Sequence, residues 1–271
     1  MPEISVLIAG MLVTGVAGGI LAGLLGVGGG IVIVPVLEGV LELLGVDASV
    51  RMHIAVATSL AVIVPTSISS SRAHFKRGAV DTELAKYWLP FIFIGAITGT
   101  AIASHVGGQV LTAVFSAVAL LVALKMVLPL DKWTLATSVP RGTGTLIMPA
   151  TIGMVSTMMG IGGGSLSVPA LTLMNEPIHR AVGTAALFGL LISIPGTLGF
   201  IWSGYGNELL PPGSLGYVNL IGFAFIAPTT VLAAPLGARM AHALSRRQLS
   251  VIFGCFLFIV SLRMLLQTLE M

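Results

Sequence analysis

Two glycine-rich blocks carry the strongest chemical signal in this chain. Residues 26–35 read GVGGGIVIVP and residues 160–169 read GIGGGSLSVP. Each successive glycine disfavours helix by roughly 1 kcal/mol relative to alanine. A break is therefore expected at each block, with Pro35 and Pro169 about a turn further on. A helix that restarts after such a break presents backbone N–H groups at its N-terminus, where an anion is favoured. Close helix packing is the plainer use of small residues, but the duplication of the block favours a site. The candidate anion-binding residues here are Gly28, Gly29 and Gly30 in the first block, and Gly162, Gly163, Gly164 and Ser165 in the second.

A second duplicated element follows each block. His53 precedes Thr58 and Ser59, and His179 precedes Thr184, with the same His-x4-Thr spacing. Imidazole and hydroxyl groups on neighbouring turns can donate hydrogen bonds to an oxyanion, and a histidine can gain a proton near neutral pH. The same groups can equally cap a helix or bond between helices, and both uses stay open. Arg51 and Arg180 flank these elements. Either could attract an anion, although snorkelling to an interface is the commoner habit of such side chains. Ser165 and Ser167 stand where the first half has Ile31 and Ile33, so the second half is expected to contact cargo more. Glu38 and Glu42, four apart near a segment end, read as a solvated face. Pro65 and Pro195 are expected to kink their helices.

The elements that must hold these residues lie in a membrane. Of 271 residues, 56% are hydrophobic and only 8% charged, and the mean hydropathy is +1.05. Soluble domains carry about 25% charged residues. Apolar stretches fall at 4–26, 31–45, 53–71, 86–104, 109–128, 143–160, 165–175, 180–203, 216–240 and 248–268. All but 31–45 and 165–175 are long enough to cross a hydrocarbon core of ~30 Å as helices. Those two read as tilted spans or half-helices. The runs are continuous and do not alternate, which excludes a β-barrel. The expected fold is an all-α polytopic membrane protein of eight to ten helical segments. The N-terminus, MPEISVL, lacks a basic n-region, so the first helix is expected to be retained.

The chain divides into two related halves, expected at 1–128 and 143–271, joined by a cytoplasmic linker at 129–142. The glycine blocks repeat at an offset of 134, the His-x4-Thr elements at 126, and Gly99, Leu111, Phe115 and Lys125-Met126 recur as Gly237, Leu249, Phe253 and Arg263-Met264 at 138. The loop at 72–86 is basic while its counterpart at 204–214 has no Lys or Arg; the turn at 105–108 has none while 239–247 is basic. Basic loops face the cytoplasm, so equivalent loops face opposite sides. That is the expectation for inverted-topology repeats, common in secondary transporters. Both termini then lie outside the cell. His74, His105 and His242 read as interfacial residues.

The paired G-x-G-G-G…V-P blocks, the His-x4-Thr elements and the length of the chain resemble the TauE/SafE family of sulfite and organosulfonate exporters, over about residues 10–268. The resemblance implies a transporter of small sulfur-containing anions in the plasma membrane, of the bacterial inner-membrane type. The expected function is secondary transport by alternating access, with a passive anion channel and an intramembrane hydrolase as alternatives. No enzyme activity is expected, since G-x-S-x-G is absent and the polar elements are duplicated. There is no P-loop, so a gradient or an external ATPase must supply the energy. No cofactor or metal is expected: Cys255 is the lone cysteine and no central carboxylate cluster is present. The expected partners are a small anion, membrane lipid and a coupling proton or sodium ion, with a homodimer as an open option and nucleic acid excluded.

Overall fold

A computed structural model describes residues 2–25, 29–128, 139, 146–243 and 246–270. Gly28 and, Val139 apart, the expected linker at 129–142 lie outside the described residues. The described chain is almost wholly helical. The helices are α1 (Pro2–Leu25), α2 (Gly30–Leu43), α3 (Ala48–Lys76), α4 (Thr82–His105) and α5 (Gly108–Val127) in the first half. The second half holds α6 (Ile147–Met158), α7 (Gly164–Leu173), α8 (Ile178–Ser203), α9 (Leu220–Ala243) and α10 (Arg246–Glu270). A short antiparallel hairpin, β1 (Ser214–Leu215) and β2 (Val218–Asn219), precedes α9. Among the described residues, four helices, α3, α4, α5 and α8 from His179, are long and apolar enough to span a membrane.

Both helix breaks fall at the glycine blocks. α1 ends at Leu25 and α2 starts at Gly30; α6 ends at Met158 and α7 starts at Gly164. Pro35, Pro65, Pro169 and Pro195 all sit inside helices. Polar caps fix the starts of α3, α4 and α9. Asp47 accepts from the Ser49 N–H at α3, and Asp81 accepts from the Leu84 N–H at α4. Asn219 accepts from the Gly222 N–H at α9 in the same way. A carboxylate or amide oxygen here satisfies an N–H that the helix itself cannot.

Helix α3 is the most enclosed of the spans and forms the core, packed along α8. The two halves interlock around this pair. α1 of the first half runs along α9 of the second, and α6 of the second runs along α4 of the first. Glycines allow both crossings. A side chain at Gly19 would strike the Thr230 carbonyl, and one at Gly153 would strike the Ile92 carbonyl. Gly19 and Gly153 stand 134 residues apart, and Ile92 and Thr230 stand 138 apart, the same offsets that relate the halves in sequence. The outward faces are apolar: Trp202, Leu232, Ile259 and Leu121 are all more than two-thirds exposed. Such a surface suits lipid and not water.

Candidate functional site

The two glycine blocks, some 130 residues apart in sequence, meet at the centre of the bundle. Gly29 adopts φ 75°, a left-handed conformation that favours glycine, and α2 starts on the next residue. Gly160 is left-handed too, at φ 66°. A Cβ at Gly30 would lie 2.7 Å from the Gly160 carbonyl oxygen and 3.1 Å from the Ile161 Cα. One at Gly160 would lie 2.7 Å from the Val56 Cα of α3. One at Gly163 would lie 2.7 Å from the Phe188 Cβ and 2.8 Å from the Gly189 N of α8. Gly162 has more room, with Ile63 at 3.4 Å. Ser59 locks the junction by donating its hydroxyl to the Gly160 carbonyl at 2.7 Å.

Polar groups gather on the second-half side of this junction. Ser156 lies just before the turn that leads to α7, and Ser165 and Ser167 lie just after it. All three are buried, and among the described residues their hydroxyls have no hydrogen-bond partner in the protein. A polar group buried without a partner is costly in a folded chain. Three such groups beside one helix start are what a site for a polar cargo requires. In the first turn of α7 the Ser165 N–H donates to the Gly162 carbonyl at 3.3 Å; a helix leaves the other N–H groups of that turn without an intrahelical partner. Among the described residues there is no group of three His, Cys, Asp or Glu placed to hold a metal.

The His-x4-Thr elements are placed elsewhere, at helix ends around the junction. The His53 Nε2 lies 3.2 Å from the Ala103 carbonyl oxygen and 3.1 Å from that of Val106. Carbonyls only accept, so this nitrogen donates, and His53 caps the end of α4. Its ring stacks on Tyr217 with centroids 4.8 Å apart. The Thr58 Oγ1 accepts from the Asn219 N–H at 3.0 Å, and the Thr184 Oγ1 accepts from the Asp81 N–H at 2.9 Å. His179 is exposed. Arg180 is half-exposed and pairs with Asp81 at 2.8 Å and Glu176 at 3.4 Å.

One expectation about charge is overturned. Glu38 is not on a solvated face; it is 8% exposed, and Arg51 beside it is 9% exposed. Arg51 reaches Glu38 at 3.9 Å and Glu42 at 3.2 Å, and Arg263 of α10 reaches Glu42 at 2.7 Å. Arg51 and the two carboxylates neutralise one another, with the exposed Arg263 completing the cluster, which makes the burial of Glu38 and Arg51 tolerable. Arg51 is held inside this cluster and does not snorkel.

Several residues of this region were missed in the sequence. Asp81 and Asn219 are 138 apart, the offset of the outer parts of the halves, and both are residue types that cap helices. That signal was available. Nothing in the sequence pointed to Phe188 or Gly189, which come close only through the packing of α8 on the glycine turn.

The family model described as sulfite exporter TauE/SafE matches residues 11–264. A probable membrane transporter protein of Haemophilus influenzae is 35% identical over 256 residues, covering 94% of this chain and 97% of its own. A probable membrane transporter protein of Methanocaldococcus jannaschii is 25% identical, covering 97% of both chains. The probable membrane transporter protein YunE of Bacillus subtilis is 29% identical, covering 75% of this chain and 83% of its own. No solved structure matches.

Proposed function

The chain belongs to the sulfite exporter TauE/SafE family and is a multi-pass membrane transporter; on that premise we propose that it carries a small oxyanion, sulfite or a sulfonate, across the plasma membrane by alternating access. One observation carries the reading. The start of α2 abuts the turn before α7 at Gly30 and Gly160, and the unpartnered hydroxyls of Ser156, Ser165 and Ser167 are buried beside that turn. Hydroxyl and N–H donors at a half-helix start suit an oxyanion. The cargo set is then Gly29, Gly30, Ser156, Gly162, Gly163, Gly164, Ser165 and Ser167, with Gly28 retained from the sequence, while Ser59, whose hydroxyl is given to Gly160, holds the junction. His53, Thr58, His179, Arg180 and Thr184 belong to the helix ends that surround it.

The loop charges support halves of opposite orientation, with both termini outside the cell. A proton or sodium gradient then drives the cycle, and a homodimer is compatible with the exposed apolar faces. The test is uptake into proteoliposomes from a panel of sulfite, sulfoacetate, taurine, sulfate, thiosulfate and lactate. The expected result is saturable uptake of sulfite or a sulfonate, stimulated by the same anion trapped inside and weakened in Gly163→Leu. No uptake of any member of the panel would overturn the reading. Flux that neither saturates nor shows counterflow would make the protein a channel.

A further inference from the structure

The two threonines of the His-x4-Thr elements make the same bond in mirrored places. Thr58, on α3 of the first half, accepts the main-chain N–H of Asn219, which begins α9 of the second half. Thr184, on α8 of the second half, accepts the main-chain N–H of Asp81, which begins α4 of the first half. Each partner is also the cap of its helix: the Asn219 amide oxygen takes the Gly222 N–H at 2.7 Å, and the Asp81 carboxylate takes the Leu84 N–H at 2.9 Å. Each bond therefore ties the central α3–α8 pair to the first turn of a helix from the opposite half. We infer that Thr58 and Thr184 are the latches of two gates, one at each end of the central site.

The placement within the chain supports this assignment. Asp81 follows the basic C-terminal end of α3, with Arg72, Lys76 and Arg77, whereas Asn219 follows the segment 204–218, which contains no Lys or Arg. The two latches thus sit at the ends of the molecule that differ in loop charge. Between them lies the second glycine turn: Gly162 sits by Ile63 of α3, beyond Thr58, and Gly163 sits by Phe188 and Gly189 of α8, beyond Thr184. Both threonines are fully buried. The latches differ in what backs them. Asp81 is also held by the Arg180 guanidinium at 2.8 Å, in a half-exposed ion pair. The hairpin that carries Asn219 is instead backed by Tyr217 stacked on His53, with Phe200 edge-on to both rings. One gate is closed by charge and the other by aromatic packing. Breaking one latch while the other holds opens the centre to one side only, which alternation needs.

The inference rests on the alternating-access reading and is tested apart from it. Cys255, the one native cysteine, is replaced by alanine, and a reporter is introduced as Ser67→Cys, on α3 beside Gly189. Oriented proteoliposomes are treated with a membrane-impermeant maleimide from either side. Thr184→Val, which keeps the shape and loses the acceptor, is expected to raise labelling roughly tenfold from the side of the Asp81 loop and not from the other. Thr58→Val is expected to do the reverse. Thr58→Ser and Thr184→Ser keep the hydroxyl and should label as the parent does. Equal labelling from both sides, a shift to the same side in both variants, or no change in either variant would overturn the latches. A merely structural role would destabilise both variants without giving opposite sidedness. Anion flux through the parent decides the transport reading by itself: flux with unmoved labelling sinks the latches alone, and labelling of opposite sidedness without flux sinks the transport reading alone.

Discussion

The two glycine turns share a sequence motif and differ in what they do with it. Gly29 and Gly163 are equivalent in sequence, yet Gly29 has φ 75° and Gly163 has φ −52°. The first glycine is required by its own backbone. The second is required by its neighbours, since α8 leaves no room for a Cβ there. The walls differ as well. After the first turn come Ile31 and Ile33; after the second come Ser165 and Ser167. Ile63 of α3 presses on Gly30, while its equivalent on α8 is Gly189. A duplicated frame has thus acquired one apolar wall and one polar wall. The comparison teaches that the repeated glycines set where the helices break, while the side chains of each copy decide which break has a polar wall.

The largest expected effect tests the frame. Gly30→Val and Gly163→Val each drive a branched side chain into backbone, and each should cost about 3 kcal/mol of stability, read as a fall in melting temperature in detergent. If either variant melts with the parent, the close approach at that turn is not what demands glycine.

The charged clusters separate the halves next. Arg51→Met strands the buried Glu38, and removal of one partner from a buried pair costs about 3 kcal/mol. Arg180→Met, at a half-exposed pair, should cost under about 1 kcal/mol. Equal losses in thermal melts would show that the two clusters are not different in kind.

The polar wall is tested by exchange. Ser165→Ala is expected to weaken anion binding roughly tenfold, since one hydrogen bond to a charged group is lost, measured by titration calorimetry with the transported anion. Ile31→Ala in the first half should leave the affinity within about twofold. Equal effects would make the site symmetric.

The smallest effect is a pH dependence. The Ser49 hydroxyl and N–H hold the Asp47 carboxyl, at the start of α3, below its usual range. Its folded value lies under its unfolded one, so its stabilisation is present above the unfolded value and is lost as pH falls through the folded one. The equivalent end of α8 begins at Pro177, which makes no side-chain cap. Asp47→Asn should therefore flatten the acid limb of the melting curve slightly, and an unchanged limb would remove Asp47 from the account.

Much of the frame was legible in the sequence. The breaks at Gly29 and after Met158 follow from three glycines in a row, and the half-helices α2 and α7 follow from the two short apolar runs. Those signals are local, and a local conformational cost acts wherever the chain folds. The candidate site was legible only in its backbone. Gly30 and Gly160 were expected at helix breaks, not against each other. Glu38 read as solvated because its partner, Arg51, is brought beside it by the turn between α2 and α3.

From its residues alone the chain determined a membrane location and the places where helices must break, because hydropathy and glycine content act over short stretches. Tertiary structure decided which groups are already occupied. Thr58 finds Asn219 across 161 residues and Thr184 finds Asp81 across 103, whereas Ser165 finds no partner among the described residues. Identical hydroxyls acquire opposite roles because a hydrogen bond depends on what distant backbone arrives within 3 Å or so, and no spacing along the chain records that arrival.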